Sequence, residues 1–409
     1  MKRSFLVALY FLLQTSVFSQ SGWVIQQSGT SSTLLGVAFA DANTGYACGV
    51  NGLILKTTNG GSNWLVSNSG VTVFLRSICY AGANTVFIAG ELGTILRSTN
   101  GGANWFALSN VNTETLVHIN FRDAENGIAC GLNGTILRTT DGGNNWLQQA
   151  SGTNVELTGA YFTSANDIYI TGFGGTILHT SNGGSIWNAQ VSGTSNELRA
   201  VHFADANTGL IAGYGGIILR TVNGGGNWSI INSGTGNNLF TICFAGNGTA
   251  YAAGTGVMLK SVDGGLSWQS QSIGVTSDIY SMSFSDSNTG TAVGQQGVIL
   301  RTSSGGIGIN LISSDVPLMF VLYPNYPNPF NPGTKIRFSV PHVSKGSESK
   351  TRISIYDGAG REIATLLNEQ LRPGTFEVTW NASDYPSGVY FCSLSAAGIS
   401  LTKKMILLK

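Results

Sequence analysis

The stretch Gly49-Val50-Asn51-Gly52-Leu53-Ile54-Leu55-Lys56-Thr57-Thr58-Asn59-Gly60-Gly61-Ser62-Asn63-Trp64 decides how the chain reads. A short apolar run, Leu53 to Thr57, lies between Asn51-Gly52 and Asn59-Gly60-Gly61. Asn-Gly and Gly-Gly pairs supply the positive φ angles of tight hairpins, so this is a strand between two turns. Upstream, Leu34 to Phe39 and Tyr46 to Cys48 are strands joined by the turn Asp41-Ala42-Asn43-Thr44-Gly45; Trp64 heads a fourth.

The unit recurs. Trp23, Trp64, Trp105, Trp146, Trp187, Trp228 and Trp268 are spaced by 41 residues, except for a last interval of 40. Six of them follow Asn59-Gly60-Gly61, Asn100-Gly101-Gly102, Asp141-Gly142-Gly143, Asn182-Gly183-Gly184, Asn223-Gly224-Gly225 and Asp263-Gly264-Gly265; a seventh turn, Ser304-Gly305-Gly306, has Ile309 in place of Trp. Four short strands in each of seven units near 40 residues predict a seven-bladed β-propeller. Trp23 heads a fourth strand with no first three, so the N-terminal segment is expected to complete the last blade, placing Trp23 beside Leu300 and Arg301.

Composition agrees. Of 409 residues 56 are Gly and only 10% are charged, which disfavours helices and leaves an all-β chain rich in turns. The net charge of +1 gives no bulk reason to expect nucleic acid as a partner. Met1-Lys2-Arg3 and the apolar run Phe5 to Phe18 read as a secretory signal peptide over 1–19; no other stretch is long and apolar enough to span a bilayer. Cys48, Cys79, Cys130, Cys243 and Cys392 are odd in number and show no CxxC spacing, so they read as buried small hydrophobes.

The pattern Thr57-x-Asn59-x-Gly61-x-x-Trp64 resembles the Asp-box (BNR) hairpin, and the 41-residue unit resembles the propeller family of photosystem II stability/assembly factors. The resemblance implies that the Asx residues Asn59, Asn100, Asp141, Asn182, Asn223 and Asp263 hold the turns. It implies that Trp64, Trp105, Trp146, Trp187, Trp228 and Trp268 pack between strands, with no catalysis, cofactor or metal. From Pro324 the texture changes. The run Tyr323-Pro324-Asn325-Tyr326-Pro327-Asn328-Pro329-Phe330-Asn331-Pro332 precedes about six alternating strands, the outline of an Ig-like β-sandwich. With Gly388-Val389-Tyr390-Phe391 and the ending Lys403-Lys404-Met405-Ile406-Leu407-Leu408-Lys409, it resembles the type A sorting domain of the type IX secretion system. That resemblance implies export through the periplasm to the cell surface with the secretion machinery as a partner, and so a workplace other than the photosynthetic membrane. The expected order is a signal peptide (1–19), propeller (20–310), linker (311–323) and sorting domain (324–409), acting as a monomer.

Repeated residues build scaffold, so function is sought where the repeat varies. Lys56, Arg97, Arg138, His179, Arg220, Lys260 and Arg301 put one basic residue on each blade, with Arg76, Arg122 and Arg199 as further cations. This ring either bonds to loop carbonyls of the next blade or holds an acidic peptide or anionic glycan. The loops between second and third strands vary most, and they share a face with the connections between blades. Phe173, Tyr214, Glu156 and Glu197 therefore gather on adjacent blades as a candidate site for a protein, peptide or sugar. The alternative is an extracellular glycan-active hydrolase of sialidase-like Asp-box type, using Glu156, Glu197 or Glu91 as carboxylates. No HxxxH pair stands among the four His, and Asp41-x-Asn43-x-Gly45 lacks the distal Glu of a calcium loop, which leaves a repeated Asx turn.

Overall fold

A computed structural model describes residues 19–82, 84–108, 113–246, 248–342, 349–371, 373–382 and 385–409. The expected signal peptide, apart from Ser19, lies outside the described residues. The chain divides into two compact units, 21–307 and 308–409.

The first unit is a seven-bladed propeller. Six blades are four-stranded antiparallel sheets built from consecutive strands, the first comprising Leu34–Phe39, Gly45–Gly49, Ile54–Thr57 and Leu65–Ser67. The seventh takes Ile279–Phe284, Gly290–Gly294 and the start of Ile299–Ser313 from one end of the sequence. Its fourth strand is Ser19–Gln26 from the other. Trp23 is 2% exposed, packs in one cluster with Leu300, and meets Tyr251 and Phe284 edge-on at 6.1 and 5.9 Å. The ring is thus closed as the orphan fourth strand foretold, by apolar packing and pairing together. Arg301 points elsewhere, over Phe39 and onto Ala42 O of the first blade, because alternate residues of a strand face opposite sides.

The repeated turn shows why its letters recur. Thr57 Oγ1 donates to Asn59 Oδ1 and accepts from Gly61 N, while Asn59 Oδ1 accepts from Asn63 N. Gly61 sits at φ +85°, and a Cβ there would lie 1.9 Å from Gln26 Oε1, so only Gly fits. That same Gln26 Oε1 accepts from Trp64 Nε1, and Gln26 Nε2 donates to Gly60 O. Three further blades are tied through Trp to the fourth strand of their predecessor: Trp105 to Ser67, Trp187 to Gln149, Trp228 to Gln190. Where the predecessor offers Leu108, Trp146 Nε1 is left buried without a partner; where it offers Ile231, Trp268 turns to its own Gly265 O.

The second unit holds two sheets. One runs in the order Glu362–Leu371, Ser349–Tyr356, Gly388–Ala396, Ile399–Leu407. The other places Gly374–Asn381 between residues 309–313 and Gly333–Val340, with Val321–Leu322 beyond. Phe330, Trp380 and Tyr390 form its aromatic core, with Trp380 5.4 Å from each of the other two. Among the described residues no helix is long and apolar enough to cross a membrane. All five cysteines are free thiols, four of them buried and Cys79 half-buried.

Candidate functional site

In every blade the first strand opens with a buried Leu or Ile (Leu34, Leu75, Leu116, Leu157, Leu198, Leu239 or Ile279), and one residue later its pairing register skips. The skipped residue is a β-bulge, which leaves the ladder and redirects one side chain. Seven bulges put Leu35, Arg76, Val117, Thr158, Arg199, Phe240 and Tyr280 around one central channel of about 340 Å³, lined by the first strands of all seven blades. No two successive blades carry the same residue there.

At this end of the ring the loop between second and third strands is locked to the connection that enters its own blade. Phe173 N donates to Glu156 O at 3.0 Å, and Tyr214 N to Glu197 O at 2.8 Å. The lock needs a bare backbone at the strand end: a Cβ on Gly213 would stand 2.1 Å from Glu197 O. Phe173 and Tyr214 thereby both reach Arg199, whose guanidinium carbon lies 5.8 Å and 5.7 Å from the two ring centroids. Glu156 Oε1 stands 3.7 Å from Arg199 Nη1, close enough for an ion pair but too far for a hydrogen bond. Among the described residues Arg199 is the one propeller arginine that donates no hydrogen bond to the protein. Arg76, by contrast, bonds Glu91 at 2.9 Å. Aromatic contacts continue from Tyr214 to Phe240 (5.9 Å) and Phe240 to Tyr280 (5.3 Å), with Tyr280 Oη donating to Asp278.

Of the four residues expected to gather here, Phe173, Tyr214 and Glu156 meet around Arg199. Glu197 contributes its backbone carbonyl, and its half-buried carboxylate joins none of these contacts. Sequence reasoning counted Arg199 only as one cation among several and passed over Phe240 and Tyr280. A signal was present: the residue after each first-strand Leu or Ile takes six different identities in the seven repeats.

The basic ring lies toward the opposite face, with the Gly-Gly turns. Lys56, Arg97, Arg220 and Lys260 donate to Gly101 O, Gly142 O, Gly264 O and Gly305 O of the next blade's turn. Arg138 reaches Ala165 O and Arg301 reaches Ala42 O, each also in the next blade. His179 differs: it pairs with Asp167 of its own blade at 2.7 Å and stacks on Tyr169. These groups tie blades together, and burial pulls the Lys260 ammonium down to about 8. Tyr46 and Tyr251 share the carbonyls that Lys56 and Lys260 use. His118 and His202 line the channel and are pushed down by burial to about 4, so both are neutral. Among the described residues no three His, Cys, Asp or Glu side chains gather where they could hold a metal ion.

Comparison with known proteins bears on both units. The family profile described as photosynthesis system II assembly factor YCF48 matches residues 15–112, 107–191, 146–236 and 230–303. The profile of the secretion system C-terminal sorting domain matches 325–408. No curated protein matches the chain. Among solved structures, "YCF48 bound to D1 peptide" superimposes with a TM-score of 0.60 at 23% identity, over 71% of this chain and 99% of that one. YCF48 from Cyanidioschyzon merolae follows at 0.58 and 21%, over 68% and 98%. The WD40 propeller domain of Doa1 gives 0.59 at 15%, over 70% and 96%, a likeness of fold.

Proposed function

The chain belongs to the photosynthesis system II assembly factor YCF48 family, and from that premise we propose that its propeller is a receptor for a peptide segment of another protein, taken at the channel mouth around Arg199. The coarser setting is established: a non-enzymatic propeller, joined to a sorting domain that marks the chain for type IX secretion to the cell surface. A family member solved with a peptide bound supports a peptide as the ligand class.

One observation carries the reading. Arg199 is fixed by two aromatic faces rather than by hydrogen bonds, so its orientation is set while its donors stay open to a ligand. Every basic residue of the opposite ring, by contrast, makes at least one hydrogen bond to the protein itself. Phe173 and Tyr214 add apolar area at low entropic cost.

Peptide and glycan arrays probed with the full-length secreted chain test this. Ligands found on the peptide array are expected to lose at least tenfold in affinity with Arg199→Gln and with the double change Phe173→Ala/Tyr214→Ala. Undiminished binding by both variants, or selective capture of glycans alone, would overturn it.

A further inference from the structure

Arg199 already has an anion beside it. Glu156 stands at 3.7 Å, near enough to neutralise the guanidinium but without the short paired bonds that an arginine fork makes with a well-seated carboxylate. Both side chains are 23% exposed, so the pair lies at the boundary between channel and solvent. Arg76, the other arginine on the bulge ring, is committed: Glu91 accepts a 2.9 Å hydrogen bond from it. Of the two, only Arg199 makes no hydrogen bond to the protein, whereas Arg76 is held by Glu91 and has its Nε buried. On the far side of Tyr214, Phe240 and Tyr280 extend an aromatic wall across the next two blades.

Building on the receptor reading above, we propose that Glu156 is an internal stand-in for the ligand. Its carboxylate holds Arg199 in the free protein, and a ligand carboxylate displaces it to form the paired bonds that Glu156 does not reach. A large apolar or aromatic group next to that carboxylate then lies on Phe240 and Tyr280. Glu156 therefore sets specificity. It weakens binding of every anion by the cost of its own displacement, and only a ligand that also covers the aromatic wall recovers that cost. The exchange breaks no covalent bond and needs no proton.

The carboxylate can come from a chain terminus or from an acidic side chain, and three probes separate the sources. These are acetyl-Gly-Ser-Gly-Phe as the free acid, the same peptide as its C-terminal amide, and acetyl-Gly-Phe-Asp-Gly-amide. Binding to the full-length chain is measured by calorimetry at two salt concentrations. At least one acid-bearing probe is expected to bind about tenfold more tightly than the neutral amide, and which one does so identifies the source. Glu156→Gln is expected to tighten that probe roughly threefold, the range of a partly exposed ion pair, while Arg199→Gln removes the preference for acid over amide. Phe240→Ala is expected to weaken the acid probe. Thermal unfolding of each variant confirms that the fold is intact, and Arg199→Lys, which keeps the charge but not the fork, serves as a second variant.

The failures are distinct. If Arg199→Gln abolishes the preference but Glu156→Gln leaves affinity unchanged or weaker, the stand-in role is overturned and the receptor site stands. If the acid and amide probes bind alike, or none binds at millimolar concentration, the carboxylate proposal is overturned. If array-identified ligands also ignore Arg199→Gln, the receptor reading falls with it.

Discussion

Gln149 shows how much one side chain does in the scaffold. Its Oε1 accepts from Trp187 Nε1 at 3.2 Å and its Nε2 donates to Gly183 O at 3.0 Å, joining two blades. Gln149→Leu is expected to cost about 2 kcal/mol, because both partners are left without a bond; denaturant unfolding measures it. The protein already carries this arrangement at Leu108, where Trp146 Nε1 has no partner. Asp141 tests the turns by pH. Backbone and side-chain N–H groups of Asn145 hold its carboxyl down at about 2, against 3.8 unfolded. A lowered folded pKa contributes stability that is fully present above pH 3.8 and lost as pH falls toward 2. Asp141→Asn is therefore expected to flatten the stability profile between pH 4 and pH 2. An unchanged slope in acid unfolding would show that the turn does not favour the charged form.

At the scale of elements, the closing strand carries a stability prediction of its own. Trp23 is buried against Tyr251 and Phe284, so Trp23→Ala is expected to cost about 3–5 kcal/mol. Hydrogen exchange should then rise first in Ser19–Gln26 and Ile279–Phe284; uniform exchange around the ring would argue against closure by this strand. The strands, turns and closure were legible because each rests on local chemistry repeated seven times: Gly61 for its positive φ, Thr57 and Asn59 for the turn bonds, Trp64 for the interface. The gathering of Phe173, Tyr214 and Glu156 was legible too, since equivalent positions in adjacent repeats are neighbours in a ring. The bulge at Arg199 was not. A one-residue skip in register leaves no mark in composition or period, and Arg199 has the same letter as Arg97 or Arg220, which bond to the next blade. Which cation is open depends on whether a carbonyl of the next blade lies in reach, a fact of three dimensions.

For the whole molecule, the sorting domain separates delivery from recognition. Deleting residues 325–408 is expected to retain the protein inside the outer membrane with its propeller folded, read by fractionation and by unfolding of the retained protein. Surface display of the deleted form would refute the role of the tail. The propeller contains 9 Lys/Arg against 13 Asp/Glu, so an anionic ligand approaches a ring of net negative charge and must be drawn by a local group rather than by the overall field. The bulges give that locality a further consequence. Apart from Thr158, which donates to Leu198 O, the side chains they turn into the channel take no part in pairing one strand with the next. Their identity bears on the strand ladders less than that of the paired residues. On the receptor reading, point changes at these positions are expected to retarget the protein while leaving the ladders paired, so two homologues with superimposable rings need share no ligand.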